Sequence, residues 1–199
     1  MNLREFYQTF FSVVWLAWVI AWWVFALNVK ATVRRQAALP RLLNMALLFC
    51  AVGLLFWAQW AQLVPVRGLT ERFLPGSEWR FWAALGAALT LIGLLFTVWA
   101  RVYLGRNWSG TAATIKADHE LVTGGPYGLV RHPIYSGLML AFVGTALAIG
   151  QWRGVLAVAL ALVAIVHRII VEERFMREQF GAAYDTYTER VRAIVPGLI

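Results

Sequence analysis

Four polar clusters interrupt an otherwise apolar chain, and each carries side chains able to do chemistry. The densest runs Gly124-Gly125-Pro126-Tyr127-Gly128-Leu129-Val130-Arg131-His132-Pro133-Ile134-Tyr135-Ser136-Gly137. A proline at Pro133 suits the first turn of a helix, because its missing N–H is not needed there. The start of that helix presents free backbone N–H groups and a positive dipole end, which suit an organic carboxylate. Tyr127 and Tyr135 offer π-faces for a sulfonium or an adenine ring. A second cluster, Lys116 to Gly125, alternates and ends in glycines, so it reads as an extended segment closing in a turn. It contains His119, Glu120, Leu121 and Val122. A third, Gly105-Arg106-Asn107-Trp108-Ser109-Gly110, stops an apolar run with polar groups. The fourth, His167 to Glu173, puts Arg168 and Glu172 four apart, on one helix face where they can pair. No Gly-x-Gly-x-x-Gly, phosphate loop or Cys/His metal spacing occurs, so no metal site and no soluble dinucleotide domain are expected.

The elements that position these clusters are membrane helices. Of the 199 residues 61% are hydrophobic and only 14% charged, against roughly a quarter charged in soluble domains. The mean hydropathy is +0.65. A span needs about 20 apolar residues to cross the hydrocarbon layer as helix. The expected spans are 10–28, 42–64, 79–100, 134–149 and 154–171. The last two are short and form a tight hairpin through Gln151-Trp152-Arg153. Residues 172–191 interleave charges with Phe175, Met176, Phe180, Tyr184 and Tyr187, the pattern of an interfacial or cavity-capping helix broken at Gly181. The fold class is therefore all-α integral membrane, five transmembrane helices with a cytoplasmic cofactor pocket, in one domain over 1–199.

Charge sets the orientation. Thirteen Lys and Arg fall on the side that holds Lys30, Arg106 and Arg131, and five (Arg4, Arg67, Arg72, Arg80, Arg153) on the other. The positive-inside rule then places the N-terminus outside and the C-terminus and all four clusters in the cytoplasm. The net charge of +8 reads as this topology signal rather than as a nucleic-acid surface. Trp15, Trp57, Trp60, Trp79, Trp82, Trp99 and Trp152 predict interfacial belts, while Trp18, Trp22 and Trp23 lie deeper and predict packing between helices. Cys50, the single cysteine, reads as a small core residue. Gly86/Thr90/Gly93 and Gly137/Ala141/Gly144 predict close helix contact.

From about Leu104 to Pro196 the ordered motifs Leu-Gly-Arg-Asn-Trp-Ser, His-x-Leu-Val-Thr-x-Gly-Pro-Tyr, Arg-His-Pro-x-Tyr-x-Gly, Arg-x-x-x-Glu-Glu and Phe-Gly-x-x-Tyr-x-x-Tyr stand in one chain. Together they resemble the isoprenylcysteine carboxyl methyltransferases and their phospholipid methyltransferase relatives. The resemblance implies an integral membrane enzyme that uses S-adenosylmethionine. It places the cofactor on His119 through Val122 (with Glu120 and Leu121), Tyr127, His132, Pro133, Ile134, Tyr135 and Glu172. It places Arg168 on the acceptor. Arg168 and Arg131 are the two cations assigned to catalysis. Ala112 stands where eukaryotic members carry a cofactor-binding glutamine.

The acceptor implied is a membrane lipid or lipophilic small molecule bearing a carboxylate, thiol or amine, with no nucleic acid and no obligate protein partner. Two other readings compete: an NADPH-dependent membrane reductase of the sterol-reductase type, and a non-enzymatic small transporter or scaffold. A transporter predicts ionisable groups inside spans, and the first four spans carry almost none.

Overall fold

A computed structural model describes residues 2–27, 32–35, 38–56, 68–74, 76–108, 114–116 and 120–196. The elements are α1 (Leu3–Ala26), β1 (Thr32–Arg35), α2 (Ala38–Phe56), α3 (Trp79–Leu104), β2 (Thr114–Lys116), α4 (Pro133–Ile149), α5 (Trp152–Phe180) and α6 (Ala182–Arg190). Short 3-10 turns cover Gly76–Glu78, Gly105–Asn107 and Gly125–Gly128. Among the described residues four helices (α1, α2, α3 with its preceding turn, and α5) are long and apolar enough to cross a membrane. The chain is a multi-pass membrane protein. At 17 residues α4 is shorter, a reach of about 25 Å at 1.5 Å per residue.

Several boundaries move from their expected places. α1 begins at Leu3 rather than 10, because Asn2 and Glu5 form a reciprocal capping box, with Glu5 N–H to Asn2 Oδ1 and Asn2 N–H to Glu5 Oε2 both at 2.9 Å. α5 does not stop at 171. Arg168–Glu172 at 3.0 Å and Glu173–Arg177 at 3.4 Å are i,i+4 pairs that carry it through the charged stretch. It ends only before Gly181, at φ +50°, so the expected helix over 172–191 is the last turns of α5 plus α6. The all-helical expectation holds for the membrane-crossing elements, and the links add one antiparallel pair of short strands, β1 against β2. The last residues of the second expected span lie outside those described.

α3 and α4 form the tightest pair. A Cβ built on Gly137 would lie 2.6 Å from the Gly93 carbonyl, and one on Gly144 would lie 2.6 Å from the Gly86 carbonyl. The expected small-residue stripes therefore bring two backbones into contact. Thr90 and Thr145 face each other across this seam with their hydroxyls 3.1 Å apart. Trp15 donates its indole N–H to Thr145 Oγ1 at 3.1 Å and is buried, so it is core and not part of an interfacial belt. Trp23 reverses the other way: it is 71% exposed, on the lipid-facing side of α1, because its neighbours Trp18 and Trp22 take the inner face. Cys50 is exposed rather than core.

The loops alternate between ends. β1 and β2 tie the α1–α2 link to the segment after α3. The α4–α5 turn at Gly150 bonds instead to the α2–α3 link, through Phe73 N–H to Gly150 O at 3.1 Å, Trp152 N–H to Glu71 O at 3.1 Å and Arg153 N–H to Leu69 O at 2.9 Å.

Candidate active site

The glycine-rich run folds as a turn because its residue types demand it. Gly125 takes φ +56°, a backbone open to glycine, and a Cβ there would lie 2.5 Å from the Tyr103 ring. Pro126 then opens the 3-10 turn that turns Tyr127 inward. The C-terminal segment straps this loop down. Arg131 N–H bonds Arg192 O at 2.7 Å, His132 N–H bonds Ala193 O at 2.9 Å, and Ser136 Oγ donates to Ile194 O at 2.6 Å. Tyr187 on α6 donates its hydroxyl to the Tyr127 carbonyl at 2.6 Å. Burial pushes the Tyr127 and Tyr184 phenols well up, and Tyr187 to about 12, so all three stay neutral donors at ordinary pH.

Glu172 is the hub of the polar wall. Its Oε1 accepts from the Tyr135 hydroxyl at 2.8 Å and from Arg168 Nε at 3.1 Å, and it lies 3.0 Å from Arg168 Nη2. Arg168 Nε also donates to the Tyr135 hydroxyl. The expected Arg168–Glu172 pair is therefore present, with Tyr135 as a third member that joins α4 to α5. Beside it, Glu173 Oε1 accepts from Arg131 Nε at 3.0 Å and Nη2 at 2.7 Å, and lies 3.3 Å from His132 Nε2. Arg131 Nη1 reaches the Val191 carbonyl at 2.5 Å. Arg131 is thus engaged with Glu173 and the C-terminal strap, the arrangement of a group that holds the loop. The His132 ring stacks on Tyr135 with centroids 5.7 Å apart.

Of the donors expected at the start of α4, Tyr135 N–H and Ser136 N–H both go to His132 O at 3.0 Å. Pro133 has none, so Ile134 N–H is the remaining first-turn donor.

These groups converge on a cavity of about 270 Å³. Glu120, Leu121, Val122, Tyr127, Arg131, His132, Pro133, Ile134, Tyr135, Arg168 and Glu172 all line it. Every site residue expected from sequence borders this one space, except His119, which lies outside the described residues. Ala112 lies outside them too. The opposite wall was not anticipated, apart from Trp108 in the third polar cluster. It comes from Trp18 and Trp22 on α1, Asn44, Met45 and Leu48 on α2, and Trp108 after α3. Trp18 stacks on Trp22 at 4.8 Å, and Trp22 meets Trp108 edge-on at 5.6 Å. α3 braces both ends of this ladder. Thr97 accepts the Trp18 indole N–H at 2.6 Å, and the Arg101 guanidinium lies 4.5 Å above the Trp108 ring. Asn44 and Asn107 also border the cavity, and each has a buried amide oxygen with no hydrogen-bond partner among the described residues. A polar residue inside an apolar span is a functional signal, and Asn44 in the second apolar run was the readable clue.

The lining combines one polar corner, aromatic faces and a long apolar wall. That donor set fits S-adenosylmethionine: Ile134 N–H for a carboxylate, acidic Glu172 and Glu120 for cationic groups, and tyrosine faces for a sulfonium or a purine. The family model for phospholipid methyltransferase matches residues 81–183, a little more than half the chain. The chain belongs to that family. Among curated proteins it is 31% identical over 129 residues to Protein-S-isoprenylcysteine O-methyltransferase B of Arabidopsis thaliana, covering 62% of this chain and 64% of that one. It is 33% identical over 132 residues to the probable Protein-S-isoprenylcysteine O-methyltransferase of Oryza sativa subsp. indica, with 64% and 69% covered. It is also 30% identical over 114 residues to the nickel-cobalt-cadmium resistance protein NccN of Alcaligenes xylosoxydans xylosoxydans, with 57% and 53% covered. The alignment thus spans under two thirds of the Arabidopsis protein. The matched region of the family runs from the start of α3 to the start of α6, and leaves out α1 and α2, which bring Trp18, Trp22, Asn44, Met45 and Leu48 to the cavity.

Proposed function

We propose that this family member is an isoprenylcysteine-methyltransferase-like enzyme that transfers a methyl group from S-adenosylmethionine to a lipophilic acceptor at the cytoplasmic membrane face. The observation that carries the reading is the convergence of residues 120–122, 127, 131–135, 168 and 172 on one cavity whose far wall is apolar and aromatic. Bound there, S-adenosylmethionine supplies an electrophilic methyl group on a sulfonium. His119 to Val122, Tyr127, His132 to Tyr135 and Glu172 hold it. Arg168 orients the acceptor: its guanidinium is a fixed positive charge at the cavity wall, suited to an acceptor that carries a negative one. Glu172 and Tyr135 hold that guanidinium in one rotamer, so orientation is set before the acceptor arrives. Arg131, the other cation assigned to catalysis, contributes by position, keeping the loop closed against Glu173 and the C-terminal strap. The apolar wall of Trp18, Trp22, Met45 and Leu48 excludes water and accommodates the acceptor's lipophilic part. The plant relatives, named as isoprenylcysteine O-methyltransferases, favour a prenylated cysteine carboxylate as acceptor.

The same reading has five crossings in a single domain over 1–199, N-terminus outside and C-terminus cytoplasmic. The alternation of loop contacts between β1–β2 at one end and Gly150 at the other supports an odd number of passes, and the thirteen-to-five distribution of Lys and Arg supports the orientation. Calorimetric titration of the purified chain in detergent with S-adenosylhomocysteine and with NADPH tests it. Binding of the first alone is expected, followed by labelled methyl transfer to an S-prenylated cysteine analogue. Binding of NADPH without S-adenosylhomocysteine overturns the reading in favour of a reductase.

A further inference from the structure

The opposite end of the bundle holds a second cavity, of about 290 Å³. It forms where the start of α1, the end of α2, the start of α3 and the α4–α5 turn meet. Three arginines line it, Arg4, Arg72 and Arg153, and no Asp, Glu or Lys does. Arg153 is only 6% exposed. Its guanidinium is held by neutral acceptors: Gln151 Oε1 at 2.6 Å from Nε, and the Leu54 and Leu55 carbonyls at 2.9 and 3.2 Å from Nη1. Those carbonyls belong to the end of α2, whose dipole offsets a fraction of one charge. Arg4 lies over the Trp79 ring at 5.5 Å. The Arg72 guanidinium lies 3.0 Å from where a Cβ on Gly150 would sit, so it leans onto the α4–α5 turn.

None of the three is within ion-pair distance of a carboxylate among the described residues. Residues 57–67, which continue the chain from this end of α2, contain no acid either. A buried cation without a counter-charge is costly, and three cations around one space repel one another. An anion relieves both. The remaining lining says which kind. Phe11, Leu55, Phe56, Ala83 and Ile149 form an apolar wall below the arginines, with the polar Tyr7, Gln8 and Ser12 beside them. A small inorganic anion satisfies the arginines and leaves that wall uncovered, whereas an amphiphile satisfies both.

We propose that this cavity binds a net-anionic phospholipid, with its phosphate among Arg4, Arg72 and Arg153 and one acyl chain along Phe11, Phe56 and Ile149. The site is independent of the methyl-transfer cavity, and its test has no catalytic readout. The full chain, purified in neutral detergent, is titrated separately with dioleoyl phosphatidylglycerol, dioleoyl phosphatidylcholine and inorganic phosphate. Native mass spectrometry reads retained lipid and a thermal melt reads stabilisation. Phosphatidylglycerol is expected to be retained one per chain and to raise the melting midpoint; phosphatidylcholine and phosphate are expected to do neither. The double variant Arg4→Gln/Arg72→Gln changes two exposed side chains and leaves Arg153 bonded to the end of α2. It should weaken phosphatidylglycerol about tenfold or more, given roughly 1 kcal/mol per basic residue near an anionic lipid. Arg80→Gln, at the same end but not lining the cavity, should change affinity by less than about twofold. Equal retention of phosphatidylcholine overturns the proposal, as does an equal loss in Arg80→Gln. Stabilisation by phosphate alone that matches phosphatidylglycerol makes this a small-anion site and overturns the lipid assignment.

Discussion

Replacing Tyr135 by phenylalanine removes one oxygen from the hub of the candidate site and leaves the ring in place. That hydroxyl donates to Glu172 Oε1 at 2.8 Å and accepts from Arg168 Nε. A hydrogen bond to a charged group contributes about 1.5–3 kcal/mol. Glu172 Oε1 keeps its two Arg168 contacts, at 3.0 and 3.1 Å, so neither charge is left without its partner. The loss should therefore lie at the low end, about 1–1.5 kcal/mol of stability, read as a shift in the unfolding midpoint in detergent. If the triad also fixes Glu172 for the cofactor, the dissociation constant of S-adenosylhomocysteine should rise by roughly five- to tenfold, since 1.4 kcal/mol is a factor of ten. Isothermal titration calorimetry measures it. A double-mutant cycle with Glu172→Gln should return a coupling of about 0.5 kcal/mol or more. If stability falls while the dissociation constant stays put, the triad is only a clasp between α4 and α5, and the reasoning that ties it to the cofactor is wrong.

Four other outcomes are expected. Arg168→Lys keeps the charge beside Glu172 but loses the fork that meets both Glu172 and Tyr135; turnover should fall about tenfold or more beyond any loss of cofactor affinity, and equal loss of both refutes an acceptor role. Single cysteines at Ser77 and Ala117, in a Cys50→Ala background, should label from opposite sides of a sealed vesicle, and labelling of both from one side sinks the topology. Gly137→Ala puts a methyl against the Gly93 carbonyl and Thr97 backbone, which cannot yield as a flexible side chain would; a loss of about 1–3 kcal/mol is expected in thermal unfolding. Tyr187, pushed by burial to about 12 from an ordinary 10.0, is neutral in the fold where the unfolded phenol would ionise. Its contribution is complete below pH 10 and is lost as pH climbs toward 12, so wild type should lose more stability than Tyr187→Phe across that window.

The limits of the sequence follow from what a membrane does to polarity. The fourth helix was legible to within a residue because Pro133 opens it and Gly150 closes it in the left-handed region, at φ +63°. The fifth was not, because the change from Ile170 to Glu172 is a change of polarity, and helix formation does not depend on that change. The charged residues there pair at i,i+4 and continue the helix to the first glycine. The polar corner could be found because its residues are costly at a membrane boundary unless a site uses them. The tryptophan wall could not. In water a helix shows its buried face by an apolar stripe, but in lipid the outer face is equally apolar. Trp15, Trp22 and Trp23 are therefore indistinguishable as letters, although one is core, one borders the cavity and one meets lipid. Only a residue that lipid would reject carries a direction. Asn44 is such a residue: it points α2 toward the cavity, where its buried amide oxygen has no hydrogen-bond partner among the described residues.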